Sequence, residues 1–185
     1  MSQRAQQQHA VADNQIRELI ELVSALDDPT MRLPCPGREK LGDGTIAAAA
    51  QHTADNYQRI AEVVQASDRM TGPGPSAHGG HAMPRFLKAL GHRPPDHSAP
   101  GPDSPGFHPD GYTAENVDLP ALREQLAATR ESLKRIATLT DSQLATVPPD
   151  GSFRFADGQR TLEQVLEGVL KHQSHQVAAL TTALA

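Results

Sequence analysis

The sequence is poor in the residues that mark several classes of protein. Its one cysteine, Cys35, excludes a disulfide within the chain, which is typical of a reducing compartment such as the cytoplasm. No apolar run approaches the roughly 20 residues of a membrane span, and the first residues, MSQRAQQQHAVADNQ, lack the apolar core of a signal peptide. The net charge of −5, with basic residues interspersed, disfavours nucleic acid and anionic membranes as partners. We therefore expect a cytoplasmic protein.

What the sequence does contain is helical periodicity. Its 185 residues suit one compact domain, covering residues 1–185, with a hydrophobic core of its own. Four segments carry apolar residues at helical spacing, approximately 11–26, 45–70, 119–139 and 161–184. Asp118 is a predicted N-cap of the third helix, and Thr161 with Gln164 forms the capping-box pattern of the fourth. Because strands and helices do not alternate, the sequence predicts an all-α fold, a four-helix bundle.

A long insert separates the second and third predicted helices. Residues 71–116 are dense in proline and glycine and hold five of the nine histidines. Only the segment MPRFLKALG within them predicts a short helix. Loops of this length in compact domains are usually functional lids or linkers. The simpler interpretation is a solvated loop that is rich in histidine, and the alternative is a lid that supplies further metal ligands.

The fourth predicted helix places polar side chains beside its apolar stripe. At about 100° per residue, Gln176 falls inside the stripe, His172 lies at its flank, and His175 lies further round the helix. Burying such groups costs free energy unless they have partners. Residues three and four apart are neighbours on a helix, so His172 is placed to share a ligand with His175 or Gln176. His52, in the second predicted helix, is the candidate for a third ligand, and a hydrogen-bonded polar cluster is the alternative.

Three residues near His52, and the single cysteine, have more than one interpretation. Tyr57 lies on the apolar stripe of the second helix, and we expect it to pack in the core. Asp55 and Asn56 lie within about one turn of His52, where they either orient its ring or form part of an exposed helix face. We expect Cys35 to be a bystander rather than a nucleophile.

Two segments resemble a known family. The segments AAAAQHTADNYQRI and TLEQVLEGVLKHQSHQVAAL are similar to the DinB-like, or YfiT-like, superfamily of four-helix bundles. The resemblance implies a divalent metal ion, zinc or nickel, bound by His52, His172 and Gln176. Gln176 stands where the family usually has histidine, and its amide oxygen is a weak neutral ligand, so His175 is the other candidate. The insert is unmatched, and the family's usual tryptophan before the second helix is missing.

The resemblance also implies a function. Characterised members include thiol-dependent S-transferases and the mycothiol-dependent maleylpyruvate isomerase, in which a metal activates a low-molecular-weight thiol. We therefore expect a metal-dependent transferase or isomerase that acts on a small-molecule substrate with such a thiol as co-substrate. The alternative is a metal-free module that binds a small molecule or a protein in the same cleft. We also expect a homodimer, because alanine-rich helices pack closely and cyclic dimers are the commonest oligomers.

Overall fold

The structure, a computed structural model, describes residues 2–70, 111–151 and 155–185. Within them lie six α-helices: α1 (Gln3–Ser24), α2 (Asp28–Met31), α3 (Ile46–Met70), α4 (Leu119–Leu133), α5 (Asp141–Ala145) and α6 (Leu162–Ala183). A 3₁₀ helix, Lys134–Thr138, continues α4. These described ranges contain no β-strand, only an isolated bridge between Pro34 and Thr45. For this part of the chain the all-α prediction is confirmed.

The four long helices, α1, α3, α4 and α6, bury their apolar faces against one another. α1 packs mainly against α4 and α6, and α3 packs against the same two helices. The stripe predicted for the second helix is fully buried in α3: Ile46, Ala50, Thr53, Tyr57, Ile60 and Val64. The stripe predicted for the third helix is buried as well: Leu122, Leu126, Thr129, Leu133 and Ile136. None of the described helices is long and apolar enough to cross a membrane.

The start of α1 differs from the prediction. The helix begins at Gln3 rather than near Val11, because Ser2 caps it by accepting a hydrogen bond from the main-chain N–H of Ala5. This first part is polar and rich in glutamine, which favours helix without producing an apolar stripe. Contacts from distant parts of the chain hold it in place, since Arg4 forms ion pairs with Asp141 and Glu163.

Local capping signals are confirmed where the structure describes them. Asp118 caps α4 by accepting from the main-chain N–H of Ala121 at 2.7 Å. Thr161 and Gln164 form the predicted capping box at the start of α6. The third helix changes from α to 3₁₀ geometry after Leu133, whereas the sequence predicted one continuous helix to residue 139. The short helices α2 and α5 were not predicted.

The last residues of the predicted insert lie against the loop that leads into α3. The main-chain carbonyl oxygen of Tyr112 accepts from the main-chain N–H of Asp43 at 3.0 Å, and the Asp43 carboxylate accepts from Ala114 at 2.9 Å. Gly42 has a φ of +54°, and a Cβ added there would lie 2.0 Å from the Tyr112 carbonyl oxygen. The rest of the insert, residues 71–110 with the MPRFLKALG segment, lies outside the described residues.

Candidate metal centre

A hydrogen bond joins the two helices that carry the predicted site residues. Gln173, on α6, donates from Nε2 to the main-chain carbonyl oxygen of Thr53, on α3, at 3.0 Å. Both residues are buried. His52 directly precedes Thr53 in sequence, and His172 directly precedes Gln173. The bond therefore holds the turn of α3 that carries His52 against the turn of α6 that carries His172.

On α6, His172 and Gln176 are in contact. The Nε2 atom of Gln176 lies 3.0 Å from the Nε2 atom of the His172 ring. Gln176 is 5 % exposed, and its Oε1 atom has no hydrogen-bond partner among the described residues. In this orientation, one of the two buried polar atoms of the Gln176 amide is unpaired.

His175 is exposed and lies on a different part of α6. Arg38 contacts the main chain of this residue, donating from Nη2 to the His175 carbonyl oxygen at 2.9 Å. The structure pairs His172 with Gln176, as the helix phase predicted.

On α3, His52 is 5 % exposed and pairs with Asn56. The Nδ2 atom of Asn56 lies 3.0 Å from Nε2 of His52, and Oδ1 of Asn56 accepts from Nη1 of Arg59 at 3.2 Å. A guanidinium group only donates hydrogen bonds, so the amide oxygen of Asn56 must face Arg59. The amide nitrogen then faces His52, and Nε2 of His52 is the acceptor. Of the two interpretations of Asn56, the structure supports the one in which it contacts the His52 ring.

Asp55 has a different role from its neighbour Asn56. One carboxylate oxygen accepts from the Tyr112 hydroxyl, and the other accepts from the side-chain amides of Gln51 and Gln125, each at 2.9 Å. These contacts join α3 to α4 and to the end of the insert. Asp55 therefore serves to hold three parts of the chain together, and none of these hydrogen bonds goes to His52.

Tyr57 is a core residue, as predicted, and Cys35 is buried as well. Tyr57 is fully buried and donates its hydroxyl to Oε1 of Gln15 at 2.9 Å. Burial raises the pKa of this phenol far above its usual range, so the group stays neutral. Burial also raises the pKa of the Cys35 thiol, against a weaker opposing effect of Arg38. A buried thiol with a raised pKa is a poor nucleophile.

Gln173 is the buried polar residue that the sequence analysis missed. Its side chain is fully buried, and its Oε1 atom has no hydrogen-bond partner in the part of the chain that the structure describes. The signal was present in the spacing, because at about 100° per residue Gln173 lies about 20° from Leu162, in the middle of the apolar stripe. Spacings of three and four residues run through the whole set: Leu162, Leu166, Val169, Gln173, Gln176 and Leu180.

One of the three candidate metal ligands, Gln176, is an amide rather than one of the usual ligand side chains. Across residues 2–70, 111–151 and 155–185, no three His, Cys, Asp or Glu side chains cluster as they would in a metal site built from those residue types. A metal centre at this place in the fold would therefore use the amide oxygen of Gln176 beside the imidazoles of His52 and His172.

Comparison with known proteins places the chain in a family. A sequence model of the DinB superfamily matches residues 12–179, a range that holds most of α1 and α6, all of α3 and α4, and the three candidate ligands. No curated protein and no solved structure gives a significant match. Since the family match covers far more than half of the 185 residues, the chain belongs to the DinB superfamily.

Proposed function

We propose that the chain binds a divalent metal ion through His52, His172 and Gln176, between α3 and α6 of a DinB-like four-helix bundle. The observation that supports this most is the Gln176 amide. It is 5 % exposed, one polar atom contacts the His172 ring at 3.0 Å, and the other has no partner among the described residues. An unpaired buried polar group costs about 1–3 kcal/mol, and a cation bound at Oε1 would offset that cost.

The donor set fits a metal of intermediate softness. Imidazole nitrogen suits zinc and nickel, whereas a neutral amide oxygen is a weaker donor for both. We therefore expect weaker binding than a site with three histidines would give. His52 and Gln176 are buried, whereas His172 is exposed, so an ion bound to all three would be reached by solvent from the side of His172.

The proposed activity is that of a thiol-dependent S-transferase or isomerase. A divalent ion held by three protein ligands would supply Lewis acidity, which lowers the pKa of a coordinated thiol or water. The chain's own residues would hold the ion, and the exposed side of His172 would admit a small-molecule substrate with a low-molecular-weight thiol.

Metal content tests the proposal. Protein purified without a histidine tag should contain or take up close to one nickel or zinc ion per chain, measured by elemental analysis and by calorimetric titration. His52→Ala and His172→Ala should each abolish binding, because two remaining ligands rarely retain an ion. His9→Ala, which removes a histidine of α1 outside the group, is the matched control and should bind as the wild type does. Absence of binding to the wild type at micromolar excess of both ions would overturn the proposal.

One observation favours a second candidate, a metal-free binding module. Both imidazoles already have amide partners, since Asn56 contacts His52 and Gln176 contacts His172. In that case the residues form a polar cluster that lines a cleft for a small molecule or a protein partner. The two candidates differ in the titration described above, because only the first one predicts stoichiometric uptake of an ion.

A further inference from the structure

The hydrogen bond from Asn56 determines which nitrogen of His52 carries the proton. Arg59 fixes the orientation of the Asn56 amide, as described above, so Asn56 donates and Nε2 of His52 accepts. A neutral imidazole has one N–H and one lone pair. His52 therefore carries its proton on Nδ1, and its lone pair, on Nε2, lies 3.0 Å from the Asn56 nitrogen.

A metal ion at His52 would need the same lone pair. Binding through Nδ1 instead would move the proton to Nε2, where it would face the N–H of Asn56, and two donors would oppose each other. We propose that Asn56 is a built-in competitor for the metal: its amide occupies the metal-binding nitrogen of His52 until an ion displaces it, and Arg59 holds it in that orientation. This inference rests on the proposed metal site.

If Asn56 competes with the metal ion, removing it should change metal affinity in the opposite direction from removing a residue that orients a metal ligand. A residue that orients a metal-bound histidine usually accepts a hydrogen bond from the nitrogen away from the metal, and its loss weakens binding 10–100-fold. Asn56 instead donates to the nitrogen that the metal requires. Removing it abolishes a hydrogen bond that exists only in the metal-free state. We therefore expect metal affinity to rise about three- to tenfold, the range that one ordinary hydrogen bond represents.

The first experiment is calorimetric titration of Ni²⁺ and Zn²⁺ into the full chain. Asn56 is 2 % exposed, so Asn56→Leu, which keeps much of the volume, is tested together with Asn56→Ala, and both variants are checked for wild-type helicity. Gln58→Ala, an exposed residue of the same helix, is the matched control and should leave affinity unchanged. Tighter binding in the folded Asn56 variants supports competition, and unchanged or weaker binding overturns it.

The second experiment needs no metal. In ¹⁵N-labelled, metal-free protein at about pH 8, above the usual histidine range, Nδ1 of His52 should be protonated and Nε2 unprotonated. A proton on Nε2 would overturn the inference. If the wild type binds an ion and the Asn56 variants bind no tighter, only this inference fails. If the wild type binds no ion, the proposed metal function fails and this inference fails with it.

Discussion

Gln173 on α6 and Thr53 on α3 are joined by a hydrogen bond of 3.0 Å between the side-chain amide of the first and the main-chain carbonyl oxygen of the second. Gln173 is fully buried, and its Oε1 atom has no partner among the described residues. The contact therefore aligns the two helices beside the candidate ligands while leaving half of the amide unsatisfied in the core.

Gln173→Leu should change the free energy of unfolding by no more than about 1 kcal/mol. The loss of a hydrogen bond worth about 1 kcal/mol is offset, because the unpaired carbonyl oxygen is removed from the core. Gln173→Glu should destabilise the protein by about 3 kcal/mol or more, since it buries a carboxylate. Urea unfolding measures both values. A loss of several kcal/mol in the leucine variant would mean that both polar atoms of the amide are satisfied in solution.

Gly42→Ala should destabilise the fold more than Gly37→Ala. Both glycines have positive φ, so both variants carry the left-handed strain of about 1 kcal/mol. At Gly37 an added Cβ meets nothing within 4 Å, whereas at Gly42 it would lie 2.0 Å from the Tyr112 carbonyl oxygen. Thermal unfolding of the two variants isolates this contact. Equal destabilisation would show that Tyr112 does not pack against Gly42 in solution.

Asp13→Asn should reduce stability at neutral pH but have little effect in acid. The Asp13 carboxylate accepts two hydrogen bonds from Arg130, at 2.7 and 3.2 Å, which hold the pKa of Asp13 below its usual value. The folded pKa is lower than the unfolded one, about 3.9, so the stabilisation is present above that value and is lost as pH falls through the folded pKa.

The loss of this stabilisation in acid is measured by comparing the unfolding free energies of the wild type and of Asp13→Asn between pH 7 and pH 3. The difference should be up to about 1 kcal/mol near neutrality, as for other partly exposed ion pairs, and should shrink towards the acid end. Glu124→Gln, which removes an exposed carboxylate of α4, is the control and should show no such convergence. A difference that grows on acidification would contradict the sign of the Asp13 shift.

Gln176→His should tighten metal binding about tenfold or more, because imidazole is a better donor than a neutral amide for zinc and nickel. His175→Ala should leave affinity unchanged, since that residue is exposed and is held to Arg38 through its main chain. Titration calorimetry compares the two variants. If His175→Ala loses binding and Gln176→His has no effect, the third ligand is His175.

Much of the helical architecture was predictable because it depends on local rules. Apolar spacing identifies the buried stripes of α3, α4 and α6, and short-range capping by Asp118 and Thr161 fixes two helix starts. The early start of α1 was not predictable in this way. Its first turns are polar and are anchored by Arg4 to Asp141, a residue 137 positions away.

The candidate site was predictable in part for the same reason. The helix phase of Gln176 and its neighbour His172 follows from residue spacing, and their contact is observed. The importance of Gln173 was hidden because a glutamine is expected at the surface, although its phase lies in the stripe. The direction of the Asn56–His52 bond depends on Arg59 as well, and side-chain orientation of this kind is not encoded in spacing.

The contact between Asp43 and Tyr112 has a consequence for chain topology. α3 contains 25 residues and is therefore about 37 Å long, with Asp43 just before its first turn and Met70 at its far end. Because Tyr112 lies beside Asp43, Met70 and Tyr112 lie at opposite ends of α3, and α4 sets out in the same direction as α3. Spanning that distance takes at least about 11 residues of fully extended chain. A deletion that left fewer residues than this between Met70 and Tyr112 would therefore force α4 to reverse its direction.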